Sequence, residues 1–548
     1  MLTFGWASAE NVINVSAPQT GSANAIVADA IEQLKAKGGG TLRMSFGQYL
    51  FDRDEAAVKL YHISNTTSAE ENPDPVKHIA ILLKDARDIT IDGGGSTLML
   101  DGEMTAFVVD SCRNITLKNF AIDQINPTAP EMTLAADMGN TLVYRVHPAS
   151  RYEIRDNGRQ LYWVGKGWEF TGGIAQTYYP EHDTTSRTWS PMENISSVKE
   201  LEPGLLAITY TSHPQQKIGW TYQMRDSFRD EVCGFIGNST NTTLSDINIY
   251  YAGNFGIVGQ CSRDITYRRV NFEPEAGSGR TNTGFADFCQ FSGCAGLIKV
   301  ENCRFVGAHD DPINVHGTHL KVVSVDSPRT ARVRYMHGQS FGFQSFFRGD
   351  EVEFVNRSTL LAEGQAKVKS ARMVNDYEIE LTFDRDIPSS ISGSDNYAIE
   401  NVSWTPEVEI RGCYFARVPT RGILVTTRRK VVIEDNTFFR MSMSAILLSD
   451  DARGWYESGP CRDVTIRRNR FIECGEPVIN IWPEISEFAG PVHKNVTITD
   501  NLFRLRGGQA VRANAIDGLH ISGNLFTGNY NPDNVISVEN GSNLNINN

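Results

Sequence analysis

Residues 308–317 (AHDDPINVHG) set two adjacent carboxylates, Asp310 and Asp311, between two imidazoles, His309 and His316. An Asp-Asp pair in a loop is most often a solvated turn or a helix cap, so its chemistry depends on what else reaches it. Asp287, in TGFADFCQF, precedes Asp310 by the same interval that separates Val408 from Val431 and Val496 from Leu519 in the repeats described below. In a chain that winds in coils of that length, successive coils lie about 4.8 Å apart and residues one coil apart become lateral neighbours. Asp287 would then stand beside the Asp310–Asp311 pair. Crowding three carboxylates raises at least one of their pKa values, because ionising the last acid beside existing negative charge costs free energy. A protonated acid beside ionised bases is what inverting glycoside hydrolysis requires. On this reading Asp310 protonates the departing oxygen. Asp287 and Asp311 hold and deprotonate a water attacking from the opposite side, the two functions lying about 6.5–9.5 Å apart.

The strand after the pair alternates. Ile313 and Val315 point inward, leaving Asn314 and His316 on the outer face beside the acids. Both are candidate substrate contacts. Arg421, in ARVPTRGILV, is a candidate grip on a sugar hydroxyl, and Trp455 is a candidate stacking platform, with Trp482 a second. Burial in packing is the commoner fate of tryptophan. Asp450 and Asp451 have no acidic partner one coil earlier in GILVTTRRK, so they read as a loop turn. The spacing of His309 and His316 across a turn is poor for zinc, and neither a metal nor a cofactor is expected.

These residues need a scaffold that repeats. The phrases RDITIDGG, RNITLKNF, RDITYRRVNF, VVIEDNTFF, RDVTIRRNRF, KNVTITDNLF and DGLHISGNLF are variants of one another. Each places two β-forming apolar residues at alternate positions, then polar turn residues, then an aromatic. The first apolar position recurs at Val408, Val431, Val464, Val496 and Leu519. The first and last steps are equal and short, and the two between them are longer, as one turn of a coil with an occasional larger loop would be. Asn436, Asn469, Asn501 and Asn524 each stand two residues before a Phe. Stacked Asn side chains can bond up a ladder and stacked Phe can fill a core, so the expected fold is all-β, a right-handed parallel β-helix. Leucine-dominated repeats and six-residue periods are both missing. Ile26, Val27, Ala30, Ile31 and Leu34 form a helical stripe ending at Gly38, Gly39 and Gly40, which predicts a helix capping the first coil.

Two stretches break the rhythm and read as small inserted antiparallel β modules, 126–232 and 318–402. The chain thus divides into a lead-in (1–20), a cap and first coils (21–125), the first module, coils bearing the acids (233–317), the second module, and C-terminal coils (403–548). The second module starts directly after the Asp-Asp coil, where it can wall a cleft.

Composition narrows the partners. The net charge is −13 with no dense Lys/Arg cluster, which argues against a nucleic-acid partner. No apolar run is long enough to span a bilayer. The nine cysteines lack C-x-x-C spacing, and Cys303 and Cys413 each precede a Phe by two residues, as small buried hydrophobes would. The opening MLTFGWASAE carries an Ala-Ser-Ala that reads like the cleavage end of a secretory leader, giving an expectation of a secreted or periplasmic bacterial protein.

The order Asp, Asp-Asp, then His beside Gly resembles the polygalacturonases, with FAD around Asp287 and VHG around His316 in place of that family's motifs. Over nearly the full length, with GGGTLRMSFGQYLF, the two modules and HDDPINVHGTHL, the chain more closely resembles glycoside hydrolase family 110. That resemblance implies an exo-acting bacterial α-1,3-galactosidase that inverts configuration, acts on blood-group-B-type or linear glycans, and uses Asp287, Asp310 and Asp311 as catalytic acids. Two other functions use the same fold. A polysaccharide lyase would bind calcium in the acidic trio and need cations for a uronate, and a non-catalytic glycan-binding rod would need no clustered acids.

Overall fold

The computed structural model describes residues 11–548 except 67, 69, 71–74 and 227, and the leader-like residues 1–10 lie outside the described part. The alternating apolar residues do what their period demands. Ile265, Ile298, Val408, Val431, Val464, Val496 and Leu519 stand in one column, each opposite the next in a parallel ladder. Each regular coil contributes three short strands, as in Glu407–Arg411, Tyr414–Ala416 and Ile423–Val425, so three parallel ladders enclose one apolar interior.

The Asn-x-Phe signature explains two internal stacks. Asn469 Oδ1 accepts from the backbone and side-chain N–H of Asn436, at 3.0 Å each, while its own Nδ2 donates to Ile433 O and to Asn501 Oδ1. The pattern repeats from Asn501 to Asn524. Each turn of the coil therefore satisfies buried backbone groups that no ladder reaches. Phe438, Phe471 and Phe503, two residues after these Asn, stack with Phe305 and Phe415, which follow Cys303 and Cys413, in one column with ring centroids 4.6–5.1 Å apart. All nine cysteines are buried and unpaired, as small core residues.

The helix Asn24–Ala36 buries Val27, Ala30, Ile31 and Leu34 against the first strands. Ile26 departs from the expected stripe: it is 38 % exposed, because the buried face is centred on the other four positions.

The first break in the rhythm holds a seven-stranded antiparallel sheet between Glu131 and Arg225, with a three-stranded sheet appended to it. The second is a more complete structure than a small open module. Strands Ile313–Ser327, Thr330–Arg334, Glu378–Phe383, Ala362–Met373, Glu351–Asn356 and Tyr397–Asn401 pair in that order, and the last pairs again with the first. This closed six-stranded barrel has its own apolar core and leaves no open edge. Its first strand is continuous with the coil that carries the acids.

Among the described residues no helix is long and apolar enough to cross a membrane.

Candidate active site

Register decides which carboxylates meet. Cys289 stands opposite Ile313, a step one residue longer than the step from Val408 to Val431, and Ile313 stands opposite Ile423. The same steps put Asp287 over Asp311, and Asp311 under Arg421. The spacing that aligns Asp287 with Asp310 therefore misses by one: the Asp287 and Asp311 backbones share the column, and Asp310 stands one residue earlier. The backbone confirms the alignment, since Phe288 N donates to Asp311 O and Cys289 N to Pro312 O.

Asp311 is buried and Arg421 closes over it. The guanidinium lies 2.8 Å from Oδ2, and both Nε and the backbone N–H of Arg421 donate to Oδ1. Burial pushes the Asp311 carboxyl above its ordinary range, and Arg421 opposes that rise. The sequence suggests Arg421 as a grip on a sugar hydroxyl; in the structure its guanidinium is engaged by an acid. Asp287, 5 % exposed, has no ion pair or side-chain hydrogen bond among the described residues. Burial first, then the charges of Asp310 and Asp311, push its carboxyl well above the usual carboxylate range.

Asp310 is the most accessible of the three, its side chain 17 % exposed. It faces two cations from the first antiparallel module and the segment after it: Arg187 at 3.3 Å and Arg229 at 3.2 Å. The turn itself is gripped from the same side, since Gln176 Nε2 and Arg187 both donate to His309 O. No local signal could have revealed Arg187 and Arg229, because they arrive from an insertion whose fold the coil period does not describe.

His309 and His316 do not meet a common ligand. The buried His309 Nε2 donates to Gln223 Oε1 at 2.8 Å, and burial drives its pKa well down, so it is neutral. His316 Nδ1 donates to Gly317 O, and its Nε2 lies 3.1 Å from the Gln290 amide and 3.6 Å from Glu457 Oε1. Among the described residues no group of His, Cys, Asp or Glu is arranged to hold a metal ion. Asn314 and His316 do point away from the coil interior, but they are covered: Asn314 Nδ2 donates to Glu457 Oε1. The cover is the two-residue strand Glu457–Ser458, antiparallel to Gly317 and Thr318. Gly317 lets the two segments approach closely, since a Cβ there would fall 2.5 Å from Ser458 Oγ and 3.1 Å from its carbonyl oxygen.

Asp450 and Asp451 separate. Asp451 is the expected turn residue, accepting from four successive backbone N–H groups, those of Arg453, Gly454, Trp455 and Tyr456. Asp450 is instead fully buried near His319, and burial raises its pKa to about 7. Trp455 remains 44 % exposed and stacks on His337 of the barrel, whereas the Trp482 ring is covered by Arg512. A cleft of about 410 Å³ runs from Arg421, the partner of Asp311, along Trp455 and Glu457 to Glu484. That size falls within the range of about 300–1,000 Å³ common for ligand sites.

Known proteins are similar to this chain over most of its length. A protein named Alpha-1,3-galactosidase A from Bacteroides thetaiotaomicron is 52 % identical over 488 residues, covering 89 % of this chain and 86 % of that protein. The chain belongs to the alpha-1,3-galactosidase family. Membership makes it a glycoside hydrolase, in agreement with the resemblance drawn from its motifs. The Akkermansia muciniphila Alpha-1,3-galactosidase A is 36 % identical, covering 89 % of this chain and 81 % of its own. An Alpha-1,3-galactosidase B from B. thetaiotaomicron is 33 % identical, covering 91 % and 82 %. Residues 330–396 match the family model described as GLAA-B beta-barrel domain II, and residues 381–484 match the right handed beta helix region. Among solved structures, a Thermotoga maritima exopolygalacturonase superposes with a TM-score of 0.43 at 12 % identity, covering 98 % of this chain and 92 % of its own.

Proposed function

We propose that this galactosidase removes terminal α-1,3-linked galactose from the non-reducing ends of glycans with inversion of configuration, on a right-handed parallel β-helix. The linkage rests on the names of relatives that cover most of the chain, and the handedness on the match over 381–484. The substrates are terminal α-1,3-galactosides of blood-group-B-type or linear glycans, and glycans of that kind place the enzyme in the periplasm or outside the cell.

One observation carries the mechanism: the register that aligns the Asp287 and Asp311 backbones one coil apart, while Asp310, one residue earlier, faces Arg187 and Arg229. Two carboxylates carried on successive coils, whose backbones lie about 4.8 Å apart, suit the clamping and deprotonation of a single water. Asp310 then protonates the glycosidic oxygen from another direction, as inversion requires. Asp310 faces Arg187 at 3.3 Å and Arg229 at 3.2 Å, and the partly exposed Arg187 borders the path of the arriving sugar. A second assignment has its own support. Asp287 carries no cation and its carboxyl is pushed well up, which makes it the residue that holds the proton before substrate arrives.

Two measurements decide these points. Proton NMR of reactions with α-1,3-, α-1,4- and α-1,6-linked galactosides is expected to show β-galactose first, from the α-1,3 substrate alone; α-galactose as the first product would overturn inversion. An aryl galactoside with a strongly activated leaving group needs no acid. Asp310→Asn is expected to retain turnover of that substrate and Asp287→Asn to lose it, and the reverse result assigns the acid to Asp287.

A further inference from the structure

Glu457 has no part in bond cleavage as described above, yet it meets Asn314 and His316 on the coil that carries Asp310 and Asp311. Its side chain is 12 % exposed, and among the described residues no Arg or Lys pairs with it. It contacts Asn314, three residues beyond Asp311, and its charge adds to the pressure on Asp287. Placing a fourth acid there opposes folding unless something uses its acceptor capacity. A carboxylate offers about four acceptor positions. The structure fills few of them: Asn314 Nδ2 donates to Oε1 at 3.2 Å, and His316 Nε2 lies 3.6 Å away.

The loop that delivers Glu457 is held firmly. Four N–H groups bond the Asp451 carboxylate, and Arg357 of the barrel donates to the Tyr456 hydroxyl at 2.9 Å. This places Trp455 and Glu457 along the same 410 Å³ cleft, with Arg421 at its inner end beside Asp311. Trp455 has one ring face against His337, at 3.9 Å between centroids, and is still 44 % exposed. An apolar ring face and an uncompensated carboxylate in one cleft complement a neutral polyol ring. Galactose has its 4-hydroxyl axial, which leaves a continuous C–H patch on one face of the ring and hydroxyl donors along one edge.

Other candidates lack this complementarity. A larger hollow of about 690 Å³ in the first module is lined by Glu131, whose oxygens already accept from Thr281 and Asn282. Asp450 lies in a closed buried network with His319 and the Gly459 N–H.

We propose that Glu457 and Trp455 recognise the terminal galactosyl ring, Glu457 accepting hydrogen bonds from its hydroxyls and Trp455 packing against its C–H face. Glu457 is then a specificity-determining residue and takes no proton in the reaction. This rests on the galactosidase reading of the neighbouring acids.

The test compares wild type with Glu457→Gln and Trp455→Ala on an α-1,3-galactoside and on the matched α-1,3-glucoside, its 4-epimer. A charged acceptor lost from a sugar hydroxyl is expected to lower kcat/KM on the galactoside about 10–100-fold, mainly through KM. Discrimination against the glucoside should fall by a similar factor, while both limbs of the pH–rate profile stay in place. Galactose binding to Asp310→Asn, followed by calorimetry, should weaken to the same extent when Glu457→Gln is added. Unchanged kcat/KM and discrimination would overturn the assignment. So would a lower kcat at constant KM with a displaced pH limb, because Glu457 would then act on the acids and not on the sugar. If wild type itself releases no galactose from the α-1,3 substrate, the galactosidase reading fails instead.

Discussion

Replacing Arg421 by Met removes a charge while keeping most of an apolar stem, and its consequence can be worked out from the site. The guanidinium stands 2.8 Å from Asp311 Oδ2, and a cation in contact lowers a carboxyl pKa by about 1–3 units. Two features put this case in the lower half of that range. Arg421 is 28 % exposed, so water screens part of the interaction, and its backbone N–H continues to bond Asp311 Oδ1 in the variant. Loss of the cation therefore raises the Asp311 pKa further, on top of the rise that burial already imposes. A base must be ionised to accept a proton from water, so the acid limb of kcat/KM moves to higher pH. Below the limb activity falls about 10–100-fold, and on the plateau above it the loss is only a few-fold. The assay is kcat/KM on an α-1,3-galactoside across pH. A uniform loss at every pH with an unmoved limb would refute this account and return Arg421 to the role of a sugar contact.

Other outcomes follow from the same structure. Asp287 has a raised pKa when folded, so its contribution to stability is complete below the ordinary carboxylate value near 4 and is lost as pH rises through the folded value. Asp287→Asn is therefore expected to melt with wild type near pH 4 and above it at pH 7–8, while turnover of the natural linkage drops about 10²–10⁴-fold; equal melting at both pH values would contradict the burial argument. Asn469→Ala strands the Asn436 N–H and the Ile433 carbonyl, at a cost of about 2–4 kcal/mol in urea unfolding. Phe438→Ala opens a void between Phe415 and Phe471 and costs about 3–5 kcal/mol by the same measurement. With all nine thiols buried and unpaired, the native protein should resist thiol reagents, react fully in denaturant, and melt at one temperature with or without reductant.

The coil is legible in the sequence because its determinants are local and repeated. Each Asn-x-Phe satisfies one corner and fills one layer, and each alternating pair faces the same interior, so every copy reports the same geometry. The same logic finds the outward faces of Asn314 and His316 and gathers Asp287 with Asp310 and Asp311. It misses by a single residue at the column itself, where the coil carrying the acids is one position longer than the short coil of the repeat. It fails altogether where residues reach the site from elsewhere in the chain. Arg229 meets Asp310 across 81 residues of sequence and Glu457 meets Asn314 across 143, the first from the segment after the inserted module and the second from a long loop between two coil strands. The burial of Asp450 escapes the sequence because it depends on the barrel and loop that cover the residue, which spacing alone does not register. The barrel closes through pairing between its first and last strands, a nonlocal event that alternation leaves open.

The strand Ile313–Ser327 has a mechanical meaning. Its first residues bond to the neighbouring coil, its middle to the Glu457 segment, and its end to the barrel, with no flexible link between them. Such a joint behaves as a beam and not a hinge: tilting the barrel would bend the strand that begins two residues after Asp311. Loop lengths at the barrel's far turns can therefore be altered without disturbing catalysis, whereas a single residue inserted between Val315 and His319 would turn the whole appended body and misalign the acids at its root.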